Sequence, residues 1–410
     1  MSTTETADVA IVGAGPAGLT LAEGLAVQGL RVLVLDRDTE PGGVPRHSDH
    51  PGYGVRDLRR FLRGPAYANL LARRAERAGV VIQTQSTVTS LDDLTLQVTA
   101  PSGRRQVTAR ALVLATGCRE APRPARLIPG SRPAGVLTTG WLQRAVHLEH
   151  QRFGSRAVII GAEHVSYSAA ITLHEAGCTT VAMVTARDRV DTYLAFQIAA
   201  RLRYRFPVLT GSTVVDVTGR AALESIQVRR GDGTVLTIPC DTLVCTGDWR
   251  AENTLAKSAG LLLGSSGGPD IDAQFHTSHQ GVFAIGNLLH PGATADRCAQ
   301  DAQLAAAAGG PIMRWLAGGE WSQRAQRLHV GAGLAWCSIT TLSATSDTPV
   351  FVEVTHRLRR PVFQVTQGER IVGQVRRPWA VPTRPLVLSP HLLRNIDPRG
   401  PDPILTVRGA

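Results

Sequence analysis

Three glycines near the amino terminus have the spacing that brings a polypeptide backbone into contact with phosphate. Residues 9–12 form a short apolar run that leads directly into Gly13-x-Gly15-x-x-Gly18. In such a pattern the first glycine permits a tight turn, the second leaves room for a pyrophosphate, and the third lets a helix pack closely on the strand. The unpaired N–H groups at the start of that helix would face the phosphates.

An acidic residue follows the second predicted strand at the distance that a dinucleotide-binding unit requires. Residues 31–35 are mostly apolar and end at Asp36, which is followed by Arg37. An acid about 20 residues after such a turn binds a ribose hydroxyl. We therefore predict a βαβ dinucleotide site, to which Pro16, Ala17 and Arg37 also contribute. The alternative is a glycine-rich turn in an ordinary α/β unit.

Three later segments fit a flavoprotein with two dinucleotide-binding domains. They are a Gly-Gly pair at 42–43, the apolar run 111–117 that ends Ala-Thr-Gly, and residues 277–287, which end Ala-Ile-Gly-Asn. With these segments in order, the chain resembles the glutathione and thioredoxin reductase superfamily over about residues 8–310. The resemblance implies that the dinucleotide is FAD, and it adds the binding residues Gly43, Val88, Ala115, Thr116, Gly117, Gly286 and Asn287.

The last of these segments departs from the family pattern. The family has an aspartate that contacts the ribityl and phosphate region of FAD, and this chain has Asn287 at that position. The amide of Asn287 can still form hydrogen bonds, but it removes one negative charge beside the phosphates.

Longer motifs carry a narrower resemblance. They lie at residues 43–54, 117–120, 128–140 and 286–291. In these motifs the chain is similar to FAD-dependent oxidoreductases that accompany a glycerol-3-phosphate-dehydrogenase-like flavoprotein. It is more distantly similar to the FAD subunits of amine, proline and opine dehydrogenases. The resemblance implies that the partner is a second flavoprotein dehydrogenase subunit, with a homodimer as the alternative, and that the substrate is a small molecule.

A second glycine-rich turn is altered at the position that faces a pyrophosphate. After a predicted strand at 156–160, the chain has Gly161, and then Glu163 where the second glycine belongs. Two like charges about 4 Å apart repel by about 4 kcal/mol at an effective dielectric near 20. An outward rotamer of Glu163 would instead leave the turn open to NAD(P)H, and Arg187 and Arg189 would then favour a nucleotide with an extra phosphate. The remaining alternative is a scaffold that binds no second nucleotide.

Residues 42–54 contain the candidate catalytic side chains. In the reductases that this chain resembles, this stretch carries the reactive cysteine pair beside the isoalloxazine, and here it carries histidines instead. A histidine beside a flavin can move protons because its pKa lies near neutrality. We predict His50 and His47 as the catalytic residues. The alternative is that they form hydrogen bonds to FAD or to a partner surface.

Composition argues against several other functions. The 410 residues have a net charge of +11, but arginines are spread along the chain without interleaved aromatic residues, so no nucleic-acid partner is predicted. The six cysteines include no Cys-x-x-Cys pair, and no histidine–carboxylate cluster has metal-ligand spacing. No apolar run is long enough to span a membrane, and no basic leader precedes the first strand, which predicts a cytoplasmic chain.

The order of the elements predicts an α/β fold. We expect two Rossmann-like dinucleotide-binding domains in a three-layer ββα arrangement, with a small β-containing C-terminal domain. The expected divisions are a split FAD-binding domain, an inserted NAD(P)-binding-like domain and the C-terminal domain, at residues 1–153 and 246–318, 154–245, and 319–410.

One helix prediction concerns the end of the FAD-binding domain. The Ala-rich residues 301–308 predict its last helix, with His290, Asp296 and Arg297 before it. The amino terminus of that helix would face the pyrimidine end of the flavin.

These observations predict an FAD-dependent oxidoreductase that passes hydride or electrons between a partner dehydrogenase and an acceptor, the partner being a separate subunit. A first alternative is a stand-alone NAD(P)H-dependent flavin oxidoreductase, which an intact second turn would favour. A second alternative is a non-catalytic, flavin-bearing scaffold subunit, which loss of partner turnover on His50→Ala would exclude.

Overall fold

A computed structural model describes residues 4–192, 194–321, 326–342 and 348–409 of the chain. The chain divides into two compact units. Unit 1 is drawn from Met1–Arg46, Pro51–Cys118 and Arg250–Ala410, and unit 2 from His47–His50 and Arg119–Trp249.

The amino-terminal part of unit 1 is an alternation of strands and helices. Its elements are β1 (Thr4–Val12), α1 (Pro16–Ala26), β2 (Val32–Leu35), β3 (Pro51–Tyr53), β4 (Leu62–Arg63), α2 (Gly64–Arg77), β5 (Val81–Gln83), β6 (Thr87–Asp92), β7 (Thr95–Ala100) and β8 (Gly103–Leu114). Residues 9–12 of β1 and all of β2 are buried runs of aliphatic residues, as expected of parallel strands that are covered on both faces. Helix α1 begins at Pro16, whose missing N–H is one that a helix start leaves unpaired in any case.

The main sheet of unit 1 places the glycine-rich turn at one edge. Its strands follow the order β5-β2-β1-β8-β7-β6, and β1 forms parallel ladders with both β2 and β8. The carboxyl ends of these three strands therefore lie side by side. Gly13, Asp36 and Ala115 are the residues that follow them.

Unit 2 contains a parallel sheet and a smaller antiparallel one. Over residues 118–251, which include the unit boundaries within β9 and β18, the chain runs through β9 (Cys118–Glu120), β10 (Val136–Thr138), α3 (Thr139–His147), β11 (Arg156–Ile160), α4 (His164–Glu175), β12 (Thr179–Val184), α5 (Leu194–Tyr204), β13 (Val208–Leu209), β14 (Thr213–Thr218), β15 (Ser225–Arg229), β16 (Val235–Pro239), β17 (Thr242–Cys245) and β18 (Trp249–Ala251). The parallel order is β10-β17-β11-β12-β13, and β14-β15-β16 is antiparallel. Gly161 and Thr246 follow the adjacent strands β11 and β17.

The remaining residues complete unit 1. They form α6 (Thr254–Ser258), β19 (Val282–Ala284), α7 (Ala295–Ala305), α8 (Pro311–Leu316), β20 (Gln326–Arg327), β21 (His329–Val330), β22 (Leu334–Cys337), β23 (Thr341–Leu342), β24 (Val350–Val354), β25 (Leu358–Arg359), β26 (Val362–Gln367), β27 (Arg370–Arg376), β28 (Trp379–Ala380), β29 (Leu386–Leu388) and β30 (Ile404–Arg408). Strand β19 joins the main sheet beside β8. The buried side chains of the C-terminal strands, such as Phe363, belong to the same apolar cluster as Ile11 and Leu19.

The predicted last helix of the FAD-binding domain was wrong at both ends. Helix α7 begins at Ala295 rather than at residue 301, because Thr294 takes the extended backbone of a helix cap and Asp296 supplies an acid in the first turn. Asp296 and Arg297 therefore lie within the helix instead of before it. The helix ends at Ala305 because Gly309 adopts a positive φ and Pro311 starts the next helix.

The predicted fold class is confirmed by this architecture, and the four-part division of the chain stays a prediction. None of the helices in the described ranges is long and apolar enough to cross a lipid bilayer.

Candidate functional site

The glycines of the first turn are required by close backbone contacts. Gly13 has a φ of +111°, and a Cβ there would lie 2.5 Å from the carbonyl oxygen of Ala115. A Cβ on Gly18 would lie 1.9 Å from the carbonyl oxygen of Gly13. These contacts show the tight turn and the close approach of α1 to β1 that the spacing predicts.

The second glycine of this turn faces open space. A Cβ on Gly15 would meet no atom of the described chain within 4 Å. Gly43 lies over it, since a Cβ on Gly43 would be 2.9 Å from the Cα of Gly15. The backbone N–H of Gly42 donates to the carbonyl oxygen of Ala14 at 2.7 Å, which ties the two loops together. The result is an open cradle lined by backbone.

Asp36 lies beside this cradle. Its Oδ2 accepts a hydrogen bond from the Ala14 N–H at 2.5 Å, and its Oδ1 accepts one from the Asp38 N–H at 2.8 Å. Burial raises the pKa of this carboxyl group, and the two backbone N–H donors offset part of that shift. A carboxylate has about four acceptor positions, so Asp36 retains capacity to accept from a ribose hydroxyl.

Two other predicted contributors are linked to Asp36, Arg37 by sequence and Val88 through a nearby backbone hydrogen bond. Arg37 follows Asp36 and is exposed. Val88 is half-buried on β6, two residues after Ser86, whose N–H donates to the Asp36 carbonyl oxygen at 2.7 Å.

The later predicted segments reach the same turn. The Ala115 N–H donates to the Val12 carbonyl oxygen at 2.9 Å, and Thr116 Oγ1 donates to the Glu252 carbonyl oxygen at 2.8 Å. A Cβ on Gly117 would meet no described atom within 4 Å, so this position also faces open space.

Gly286, in the last of the predicted segments, lies close to α1. A Cβ on Gly286 would lie 2.7 Å from the Cβ of Ala17 and 3.6 Å from that of Cys298 on α7. The next residue, Asn287, is half-buried, and its Nδ2 donates to the Ala293 carbonyl oxygen at 2.9 Å. Its Oδ1 is buried and accepts no hydrogen bond from any described residue. Asn287 therefore holds a vacant acceptor next to the start of α1.

The predicted catalytic histidines belong to unit 2. Nε2 of His50 lies 3.1 Å from the hydroxyl of the buried residue Ser48. In the same segment, Oδ2 of Asp49 lies 4.0 Å from Nδ1 of His147, a residue of α3. The division of the chain assigns both His47 and His50 to unit 2. Their catalytic role stays a prediction.

The second turn is closed by its own glutamate. Glu163 caps α4 and is 9% exposed, so the outward rotamer is not adopted. Its Oε1 accepts from Thr246 Oγ1 at 2.6 Å, and its Oε2 accepts from the Ala162 N–H at 2.9 Å. A Cβ on Gly247 would lie 2.3 Å from that Oε1, and one on Gly161 would lie 2.7 Å from it. The space that is open at Gly15 and Gly117 is filled here.

Sequence reasoning missed a second carboxyl group at this turn. Oε1 of Glu120 accepts from the Gly247 N–H at 3.2 Å, and Oε2 accepts from the Gly140 N–H at 2.9 Å. Burial, with a smaller contribution from the nearby Glu163, raises the pKa of Glu120 to about 7. Burial also raises the pKa of Glu163. In the sequence, this carboxyl group was indicated only by the position of Glu120 just after the Thr-Gly turn.

A family model described as pyridine nucleotide-disulphide oxidoreductase matches residues 7–309. The chain belongs to this family. The match confirms the resemblance that the glycine-rich motifs carry, and it covers the motifs of both units. As a member, the protein is a flavin-dependent oxidoreductase.

Individual relatives agree with the family match. An opine oxidase subunit from Agrobacterium tumefaciens (strain Ach5) is 27% identical over 317 residues, which cover 68% of this chain and 61% of that protein. Ferredoxin–NADP reductase of Saccharopolyspora erythraea is 26% identical over 296 residues, which cover 70% of this chain and 86% of that protein. The chain covers 51% of the corresponding opine oxidase subunit from Rhizobium meliloti, so it spans only about half to three fifths of the length of these oxidase subunits.

The crystal structure of thioredoxin reductase from T. acidophilum is similar in fold. It has a TM-score of 0.62 and 19% identity, and the match covers 74% of this chain and 97% of the reductase. The present chain nevertheless has six free cysteines, all of them within the described residues. Cys178, Cys240, Cys245, Cys298 and Cys337 are buried.

FAD is the cofactor of this oxidoreductase, and unit 1 has the features that fit it. The cradle at Gly15 and Gly117 is open, Asp36 retains acceptor capacity, and Asn287 Oδ1 is a buried acceptor that still needs a donor. When bound, FAD supplies the redox chemistry that amino-acid side chains lack. The residues of the chain bind it and set its surroundings.

Proposed function

We propose that this oxidoreductase passes hydride or electrons between an acceptor and a partner dehydrogenase subunit, and that NAD(P)H is not its reductant. The observation that carries the proposal is the position of the Glu163 carboxyl group. It occupies the second turn between Gly161 and Gly247, where a nicotinamide dinucleotide would place its pyrophosphate. Electrons must then reach the FAD of unit 1 from another source.

The hydrogen bonds of Glu163 support a permanent closure of this turn. An outward movement would leave the buried Ala162 N–H without its acceptor and would break the hydrogen bond from Thr246 Oγ1, and it would remove the capping box that Glu163 forms with Ser166. A buried donor that loses its partner costs about 1–3 kcal/mol. The turn is therefore biased against a nucleotide before any charge repulsion is counted.

The nature of the relatives supports a partner subunit. The opine oxidase relatives are named as subunits, which means that those proteins work in complexes. This likeness supports a partner subunit, and the motif resemblance leads us to propose that the partner is a second flavoprotein dehydrogenase, with opines and sarcosine as the first substrates to test. The alpha subunit of sarcosine oxidase from Corynebacterium sp. (strain P-1) is another match, at 30% identity over 221 residues.

An exposed apolar stripe on unit 2 is our candidate surface for that partner. Leu194, Ile198 and Leu202 are 68%, 51% and 72% exposed on α5. Their spacing of four residues places them on one face of the helix. Arg203 and Arg205 are exposed beside them, and residues 194–206 contain no acid. Such a stripe fits an apolar groove with an acidic rim on the partner.

The experiment is anaerobic purification of the native complex, followed by addition of opines or sarcosine. We expect a second flavin-bearing chain to co-purify, and its substrate to reduce the FAD of this chain. Leu202→Glu should weaken the complex. Val235→Glu is the matched control, because Val235 is 50% exposed on β16 of the same unit. The proposal would be contradicted if the chain purifies alone and NAD(P)H rapidly reduces its flavin.

The alternative is a stand-alone NAD(P)H-dependent flavin oxidoreductase. The ferredoxin–NADP reductase relative favours it, because this chain covers 86% of that protein. The alternative requires Glu163 to leave the second turn on nucleotide binding.

A further inference from the structure

We infer that His290 and Asp301 form a positioning pair that holds the vacant acceptor of Asn287 towards FAD. The inference concerns the assignment of FAD to unit 1, and it does not depend on the source of the electrons. His290 Nε2 and Asp301 Oδ2 are hydrogen-bonded, and both residues are buried, at 1% and 3% exposure.

The pair fastens the loop that carries Asn287 to helix α7. His290 lies in this loop, which runs over residues 286–294, and Asp301 lies on α7. One helical turn earlier, Cys298 packs against the start of this loop, because a Cβ on Gly286 would lie 3.6 Å from the Cβ of Cys298. The loop thus contacts the same helix at two points.

Hydrogen bonds within the loop transmit this attachment to Asn287. The His290 N–H donates to the Gly286 carbonyl oxygen at 3.4 Å, and the Ala293 N–H donates to the His290 carbonyl oxygen at 3.2 Å. The Ala293 carbonyl oxygen in turn accepts from Asn287 Nδ2 at 2.9 Å. Because Nδ2 is held in this way, the buried Oδ1 is fixed with no donor among the described residues.

The ring of His290 is also fixed on its face. It stacks on Phe351 of β24, with ring centroids 4.0 Å apart and an interplanar angle of 18°. Its Nδ1 is buried and makes no hydrogen bond to the described residues. A polar pair that is this well packed, with one ring nitrogen left over, contributes more to orientation than to stability.

The test is a mutant cycle on FAD affinity, measured by titration of the apoprotein with FAD. Asn287→Ala should raise the Kd about five-fold, as expected for the loss of one neutral hydrogen bond. His290→Phe with Asp301→Leu replaces the polar pair by an apolar one and keeps the stacking on Phe351. It should raise the Kd by a similar factor. The variant with all three changes should be no weaker than either, because both routes remove the same interaction.

Two further variants separate positioning from general structural damage. Asp301→Asn keeps a side chain that can hydrogen-bond to His290, so this variant should retain most of the wild-type affinity for FAD. Asp272→Asn is the matched control, because Asp272 is buried and its Oδ2 lies 3.1 Å from Nδ1 of the half-buried His276, in a second His–Asp pair that is outside the loop. It should leave the Kd unchanged. Asp301→Ala, which removes the hydrogen-bonding side chain, replaces the apolar pair in the cycle if that pair does not fold.

The outcomes discriminate clearly. Multiplying effects, with a Kd raised about 25-fold in the triple variant, would overturn the inference, because independent contributions add in free energy. An unchanged Kd in the apolar-pair variant would overturn it as well. Failure of the wild-type apoprotein to bind FAD at all would instead contradict the flavin assignment. Rapid reduction by NAD(P)H would contradict only the proposed electron source.

Discussion

At the scale of single residues, Gly15 and Glu163 occupy equivalent positions in two similar turns with opposite results. Gly15 has a φ of −81°, so its backbone accepts any side chain, and the space around it is open. Glu163 fills the corresponding space in unit 2 with its own carboxyl group.

We therefore expect Gly15→Glu to abolish FAD binding without loss of the fold. A carboxylate about 4 Å from the pyrophosphate costs about 4 kcal/mol, or roughly three decades of affinity. Gly15→Ala is the control and should lose much less. The measurement is FAD content after purification, with circular dichroism to check folding. A Gly15→Glu protein that retains its full yellow spectrum would show that the pyrophosphate lies elsewhere.

Glu120 provides a prediction for pH. Its pKa rises from 4.5 to about 7 on folding, so the folded state takes up its proton at a higher pH than the unfolded state. This contribution to stability is complete below pH 4.5 and is lost as the pH rises to about 7. The loss amounts to about 3 kcal/mol.

Chemical denaturation of wild type and Glu120→Gln across this pH range measures the contribution. The free energy of unfolding should fall less steeply with pH in the variant, because the amide does not titrate. Equal slopes in the two proteins would mean that Glu120 titrates normally in the folded state.

At the scale of elements, the strand–turn–helix units were predictable because their signals are local. The spacing Gly13-x-Gly15-x-x-Gly18 dictates close contacts within one turn, and β1 and α1 follow from it. The burial of Glu163 was not predictable, because its partner Thr246 lies 83 residues away in the sequence. The His290–Asp301 pair was missed because α7 begins at Ala295, six residues before the predicted start at residue 301.

The prediction at the scale of elements concerns Glu163, the residue that caps helix α4. Glu163→Gly should open the second turn and raise affinity for NADPH more than for NADH, through Arg187 and Arg189. The stability should fall by about 1–3 kcal/mol, because the buried Ala162 N–H loses the Glu163 carboxylate that accepts from it.

Isothermal titration with both nucleotides measures the effect of Glu163→Gly. Glu163→Gln retains the bulk and is the control, so it should gain little affinity. No gain in Glu163→Gly would show that other groups also close the turn. Asp191 would be the first such group to test, because its N–H donates to the Ala162 carbonyl oxygen at 3.0 Å and its carboxylate pairs with Arg187 at 3.2 Å.

At the scale of the whole molecule, the family and the fold were predictable, whereas the placement of residues 47–50 was not. The motifs of unit 1 are contiguous and specify an FAD fold by themselves. The segment that contains His47 and His50 belongs to unit 2. This assignment depends on contacts between residues far apart in the sequence, such as that of Asp49 with His147. The two units thus differ in function under our account: unit 1 holds the flavin, and unit 2 presents a closed turn and an exposed apolar helix.

Anaerobic mixing of the FAD-loaded wild-type protein with NADH and NADPH tests this account most directly. The account predicts that the flavin spectrum stays oxidised with either nucleotide, while dithionite reduces it fully. Reduction by micromolar NADH or NADPH at tens of turnovers per second, a rate typical of working enzymes, would contradict it. That result would show that Glu163 leaves the second turn and that the nicotinamide-dependent alternative is correct.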